Sequence, residues 1–272
     1  KWKDSTNIGI GRATDIHGVG NIMIGDSASF GDWGIRKHMV SIGTFAGARC
    51  SSSFTNSIGY HAGDNDAYGG FYCNYLGYYA GYRQNHYNNI VAIGSWAGSY
   101  MNSSNGIAIG NYAGYETNGD FSISIGDSAG KSNGYGSKHQ IAIGQMAGYK
   151  NSNGYQIAIG QMAGYKNKGG GMYQVAIGKN AGQENSGINQ IAIGDNSGFN
   201  NNGIFQIALG DSAGKGNEGV YQVALGHLAG LRNTGNYQNA FGFFAGDSNK
   251  GDGQNAIGYI AGQNNQGIYQ NA

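Results

Sequence analysis

Hydrophobic and polar positions follow one short cycle along most of this chain. In "QIAIGQMAGYKNSNGYQIAIGQMAGYKN", from Gln140 to Asn167, two aliphatic residues flank an Ala between a Gln and a Gly. The first twelve residues of this stretch return unchanged sixteen positions later. Alternation of period two with β-branched flanks predicts a short strand. Glycines recurring every few residues exclude helix, since each costs about 1 kcal/mol inside one.

The Gly that closes each predicted strand marks the repeat: Gly11, Gly25, Gly43, Gly59, Gly77, Gly94, Gly110, Gly126, Gly144, Gly160, Gly178, Gly194, Gly210, Gly226, Gly242 and Gly258. Most steps are 16 residues, and several in the first two thirds are 17 or 18. Sixteen units in succession predict a solenoid, whose units cannot bury a core singly. The fold expected is an all-β parallel solenoid of about 16 coils, at about 4.8 Å per coil a rod of about 75 Å. Residues 1–105 form an irregular, aromatic-rich part and residues 106–272 a regular part of one continuous solenoid.

A second Gly follows the first by four residues in most units, and from Gly169 onward a third follows by nine. Each unit therefore reads as strand, corner, second extended piece, corner. Two amide columns accompany it, among them Asn151, Asn167, Asn185, Asn201, Asn217 and Asn233, and Gln156, Gln174, Gln190, Gln206 and Gln222. Stacked amides donate to one coil and accept from the next, so these columns predict structural ladders rather than a binding array.

The small residue between the aliphatics raises the question of partners. With the aliphatic pair pointing into the coil, Ala92, Ala108, Ala142, Ala158, Ala176, Ala192, Ala208, Ala224, Ala240 and Ala256 point out. A long apolar stripe on a surface marks an interface, and cyclic symmetry between identical chains buries it. These alanines are the candidate subunit interface. The opposite orientation, Ala in and Ile out, demands oligomerisation as well.

The phrases "SIGTFAG", "AIGSWAG", "AIGNYAG", "AIGQMAG" and "AIGYIAGQNNQG" resemble the A-I-G-x-x-A repeats of trimeric autotransporter adhesin heads. They are also similar to the sixteen-residue repeats of bacteriophage and large-DNA-virus fibre proteins. The resemblance spans roughly residues 7–272 and implies a left-handed β-roll assembled as a trimer. It further implies a structural fibre or adhesin segment, extracellular or on a virion surface, that holds a host- or surface-binding region on a stiff rod.

Composition changes this picture little. The chain has 53 Gly, no Pro and a net charge of +1, which implies neither nucleic acid nor an anionic membrane as partner. Its 20 Tyr exclude a flexible linker. No apolar run approaches the roughly 20 residues of a membrane span. The chain stops at "GIYQNA", where the cycle calls for an apolar residue and Gly, so a longer native chain is expected.

Chemistry is sparse. The six His share no triad-like spacing with Ser, Cys or acidic residues, and no cofactor is implied. Asp64 and Asp66 sit as in a calcium loop, but Tyr68 and Tyr75 occupy positions that ligands would need. One stretch concentrates aromatics: Tyr68, Phe71, Tyr72, Tyr75, Tyr78, Tyr79, Tyr82 and Trp96. Such rings stack on sugars or anchor protein interfaces, so they are the candidate contacts for a cell-surface glycan or protein receptor. Two alternatives are weaker. An ice-binding solenoid would present a Thr column, and a polysaccharide-acting enzyme would need clustered carboxylates.

Overall fold

A computed structural model describes residues 7–12, 18–31, 36–50, 53–65, 71–84, 88–102, 104–134, 139–152, 154–168 and 173–272. The chain forms two units, Lys1–Ser132 and Asn133–Ala272, and the Ile-Ala-Ile phrases become strands in both. In the first unit one parallel sheet contains β1 (Ile8–Ile10), β3 (Ile22–Ile24), β5 (Val40–Ile42), β6 (Asn56–Ile58), β7 (Asn74–Leu76), β8 (Val91–Ile93), β9 (Ile107–Ile109) and β10 (Ile123–Ile125). A small parallel pair, β2 (Gly18–Val19) with β4 (Arg36–Lys37), lies outside it. In the second unit β11 (Gln140–Ile143), β12 (Tyr155–Ile159), β13 (Tyr173–Ile177), β14 (Gln190–Ile193), β15 (Gln206–Leu209), β16 (Gln222–Leu225), β17 (Gln238–Phe241) and β18 (Asn255–Ile257) pair in chain order.

Within each unit the sheet strands pair in parallel with the strand of the next coil, and in most columns like residues stack on like. Gln140, Ile141 and Ala142 face Gln156, Ile157 and Ala158, and these face Gln174, Val175 and Ala176 across an 18-residue step. Extra residues thus leave the strand register untouched. The protein is a parallel β-solenoid of about fourteen turns with a spacing near sixteen residues. That is slightly fewer than the sixteen units counted by glycines. Seven pairings of successive sheet strands occur in each unit.

The second extended piece expected in each coil is instead a run of turns. In the coil of Gly144, alternate residues adopt left-handed backbone: Met146 at φ 55°, Gly148 at 59° and Lys150 at 51°. Each such non-glycine residue carries an intrinsic penalty of about 1–2 kcal/mol, opposed by hydrogen bonds between coils. The Met162 N–H donates to the Gln145 carbonyl at 2.9 Å, the Gly148 N–H to Ala163 at 2.9 Å, and the Lys166 N–H to Tyr149 at 2.8 Å. Donation alternates up and down the stack, so the turn side is stitched as continuously as the strand side.

This turn side overturns the orientation expected for the alanines. Ala92, Ala108, Ala142, Ala158, Ala176, Ala192, Ala208, Ala224, Ala240 and Ala256 are all buried inside their own coil, none more than 2% exposed. They cannot be the surface that meets a second chain. The turn segment lies so close beneath the strand that a Cβ built on Gly198 would sit 3.0 Å from the Ala192 methyl. In the second unit only a methyl group fits between the two walls, so the bulkier aliphatics face out; in the first unit Met23 and Tyr75 also take this inward position. Ile191, Ile193 and Ile207 are each 38% exposed.

Amides fill the rest of the interior. The Asn201 N–H donates to Asn185 Oδ1 at 2.7 Å, and the Asn233 N–H to Asn217 Oδ1 at 2.8 Å. Asn151 Nδ2 donates to Gln156 Oε1 and Asn167 Nδ2 to Gln174 Oε1, both at 2.6 Å. Farther on, Gln190, Gln206 and Gln222 donate through Nε2 to the carbonyls of Gly203, Gly219 and Gly235 in the following coil. Many of these bonds join a side chain to the backbone of a neighbouring coil, so amides share the interior with the alanine methyls.

Candidate functional site

The left-handed residues of the turn side build the feature of the first unit that stands apart. Two residues after the strand-closing Gly, Phe45, His61, Tyr79, Trp96 and Tyr112 all have φ between 52° and 56°. Identical backbone geometry at successive coils projects successive rings in the same direction. Parallel stacks result: Phe45 on His61 at 4.7 Å, His61 on Tyr79 at 4.8 Å, Tyr79 on Trp96 at 4.3 Å and Trp96 on Tyr112 at 6.2 Å. Tyr60 and Tyr78, one residue earlier in their coils, stack beside this column at 5.5 Å. On its other side Tyr82 and Tyr115 meet it edge to face, and Tyr100 meets those two rings edge to face in turn.

Ten rings therefore tile one side of the unit, stacked along the coil direction and edge-to-face across it. Both are favourable ring geometries, each pair adding about 0.5–1.5 kcal/mol beyond burial. Lys131 closes the stack with Nζ 4.1 Å from the Tyr112 ring, and Arg83 lies 5.4 Å from Tyr82. Ring faces within the column are occupied by neighbours. What the surface offers outward is ring edges and phenol hydroxyls.

Beneath the layer, Asp64 is fully buried and tied to both its neighbours. Arg49 Nη2 donates to Asp64 Oδ1 at 3.0 Å and to Oδ2 at 2.9 Å, while His61 Nδ1 stands 2.5 Å from Oδ2. The hydrogen bond to Asp64 raises the Arg49 pKa further above its ordinary value, against the opposing effect of burial. This pairing fixes the His61 ring between Phe45 and Tyr79. The triad serves as a support for the stack, holding a ring in place. Among the described residues no group of three or more His, Cys, Asp or Glu is placed to hold a metal ion.

Burial pushes the Tyr79 hydroxyl pKa up, with the charges of Tyr60, Tyr78, Tyr82 and Asp64 adding to it. Burial also raises Tyr115, helped by Glu116. A tyrosine whose folded pKa exceeds its unfolded value, about 10, contributes stability that is complete below that value. The contribution is lost as pH rises through the folded pKa. Phenolate absorbance should therefore show late-ionising components from Tyr79 and Tyr115, above the ordinary tyrosine value of about 10, that disappear on unfolding. A folded protein in which Tyr79→Phe and Tyr115→Phe remove no late-ionising component would contradict it.

The sequence-predicted contacts divide. Tyr78, Tyr79, Tyr82 and Trp96 come together in the layer. Phe71 and Tyr72 are exposed elsewhere, Tyr72 stacked on Phe54 at 5.1 Å just before the strands. Tyr75 is a correction: it is fully buried among Cys73, Ala80, Ile90 and Ala92. It occupies the inward position that most coils fill with Ala or Ser, so it can touch no ligand. Tyr68 lies outside the described residues. Local density missed Phe45, Tyr60, His61, Tyr112 and Tyr115. Reading down the column two residues after each Gly would have found the main stack.

No family model and no curated protein matches this chain.

Proposed function

We propose that this chain is a structural segment of a surface fibre or adhesin, outside the cell or on a virion. The coils act as a stiff scaffold, and the aromatic layer of the first unit contacts a cell-surface glycan or protein. The ten-ring layer, set on a scaffold that repeats one backbone path, carries this reading. A repeating backbone lets outward columns change identity while the interior stays constant, which suits display rather than catalysis. Neither an enzymatic role, nor nucleic-acid binding, nor membrane insertion belongs to this reading. Because ring faces are engaged, contact runs through edges and hydroxyls, with Trp96 and Tyr79 at the centre as hot-spot residues.

The test is binding of the protein to immobilised glycans and to host-type cell surfaces, compared with a Tyr79→Ser, Trp96→Ser variant. The variant should bind at least about tenfold more weakly while keeping the circular dichroism of the folded coils, with a lower melting midpoint for the lost ring pairs. Equal binding by the variant would remove the layer from the contact surface.

The same proposal includes self-association through the outward aliphatics, as a left-handed roll in a trimer. In the second unit, the strands from Ile141 to Leu225 supply two such side chains each, half-buried or exposed, a continuous apolar stripe of the kind that identical chains bury between them. The open groove beside it, of about 510 Å³, is bordered by Ile191, Ile207 and Val223 and by Phe205, Tyr221 and Tyr237. Ile207→Lys should leave the fold intact and shift sedimentation from trimer to monomer. An unchanged sedimentation coefficient would refute this interface.

A further inference from the structure

We propose that paired tyrosines of the second unit are sites of oxidative coupling, which staples neighbouring coils through dityrosine. Three Tyr–Tyr pairs stack across adjacent coils: Tyr149 with Tyr165 at 5.3 Å and 13°, Tyr155 with Tyr173 at 5.2 Å and 15°, and Tyr221 with Tyr237 at 5.3 Å and 12°. Tyr155, Tyr173, Tyr221 and Tyr237 are between 40% and 62% exposed, and Tyr149 and Tyr165 are half-buried. Each ring stands at a fixed place in the coil, so its partner is set by register rather than by chance encounter. Tyr155 and Tyr173 are direct partners in the β12–β13 ladder.

The chemistry needs two phenols side by side and a one-electron oxidant such as a haem peroxidase with hydrogen peroxide. Each phenol gives up one electron and its hydroxyl proton, becoming a phenoxyl radical with spin density on the carbons ortho to oxygen. Two radicals on stacked rings pair their electrons in one carbon–carbon bond between ortho positions. Each of those carbons then releases its proton, and each oxygen takes one up, restoring two phenols. The two electrons and two protons removed convert one peroxide into two waters. A near quarter-turn of both rings about χ2 sets them edge to edge and brings their ortho carbons into contact, because that torsion is broad for tyrosine.

Competing sinks for oxidising equivalents are few in this unit. Its sequence from Asn133 to Ala272 contains neither Trp nor Cys. The first unit differs, since its Tyr60–Tyr78 pair lies in the layer with Tyr79 and Trp96, where radicals are shared among many rings. Stapling residues 16 or 18 apart closes short loops in the unfolded chain. By analogy with disulfides over loops of that size, each staple shifts the folded-to-unfolded ratio by about a hundredfold. For a solenoid exposed to harsh surroundings this locks the coils covalently without any cysteine.

The test uses the full chain in its native assembly, with equal parts of unlabelled and ¹⁵N-labelled protein mixed before assembly. It is treated with peroxidase and peroxide, and peptides are mapped by mass spectrometry. The expected products join Tyr149 to Tyr165, Tyr155 to Tyr173 and Tyr221 to Tyr237, each two hydrogens lighter than the sum of its peptides. All should be of single isotope, which identifies links within one chain whatever the oligomeric state. Tyr165→Phe, Tyr173→Phe and Tyr237→Phe should each delete only the matching product, and Phe205 and Phe54 already stand at positions equivalent to Tyr173 and Tyr237. Mixed-isotope links, scrambled pairs identical to those from urea-unfolded protein, or no coupled tyrosine at all would overturn the proposal.

Discussion

Gly210→Ala should destabilise the second unit by on the order of 3–5 kcal/mol, enough to open the coils around β14 to β16. Gly210 has φ of 132°, a backbone region closed to side chains. A Cβ there would lie 2.5 Å from the carbonyl oxygen of Gly226 in the next coil. Nothing can yield, because the obstructing atom is backbone, and that coil in turn rests on Gly242. Gly216→Asn is the control. Its φ of 71° suits Asn, the nearest atom to a new Cβ is Arg232 Cγ at 3.7 Å, and other coils carry Lys150, Asn200 or Arg232 there. It should change stability by less than about 0.5 kcal/mol. Urea denaturation and amide hydrogen exchange across β14 to β16 read both variants, and a Gly210→Ala midpoint equal to wild type would refute the argument.

Ala158→Lys should prevent its coil from closing at all. The Ala158 methyl is fully buried, with Gly148 and Gly164 of the turn side set against it. A longer side chain overpacks this gap, typically by 1–3 kcal/mol. An ammonium group placed there without a partner adds several kcal/mol more. Lys cannot reach water through the strand, whose neighbours on either side are hydrogen-bonded in register. Ile207→Lys provides the contrast: an outward position where the charge is hydrated and only self-association is expected to fail. Circular dichroism and sedimentation separate the two outcomes. A folded Ala158→Lys protein with wild-type melting would show that the interior has room that its geometry denies.

Much of the scaffold is legible in the sequence because its causes are local and repeated. The Ile-Ala-Ile alternation sets a strand, the following Gly permits a backbone no other residue adopts, and fixed spacing brings like onto like. The parallel solenoid, with its Ala, Asn and Gln columns, follows from those three facts. The aromatic contacts were only half legible. Tyr78, Tyr79, Tyr82 and Trp96 attract notice by crowding along the chain, whereas Phe45, His61 and Tyr112 join them only through coil stacking. Tyr75 reads like its neighbours but occupies an Ala position, so its ring is spent on the interior.

Which way the columns face was beyond the sequence alone. Period two says that Ala and Ile lie on opposite sides of a strand and is silent about which side is inside. The turn segment decides it, and its alternating left-handed residues, Met146 and Lys150 among them, carry no residue type that announces that conformation. Folded back beneath the strand, the segment leaves a gap one methyl wide in the second unit, and the larger side chains of its strands are driven out. The sequence by itself determined the repeat, the strand and the register. Tertiary structure alone decided inside from outside, because the width of the interior is set by two backbones meeting and not by either one.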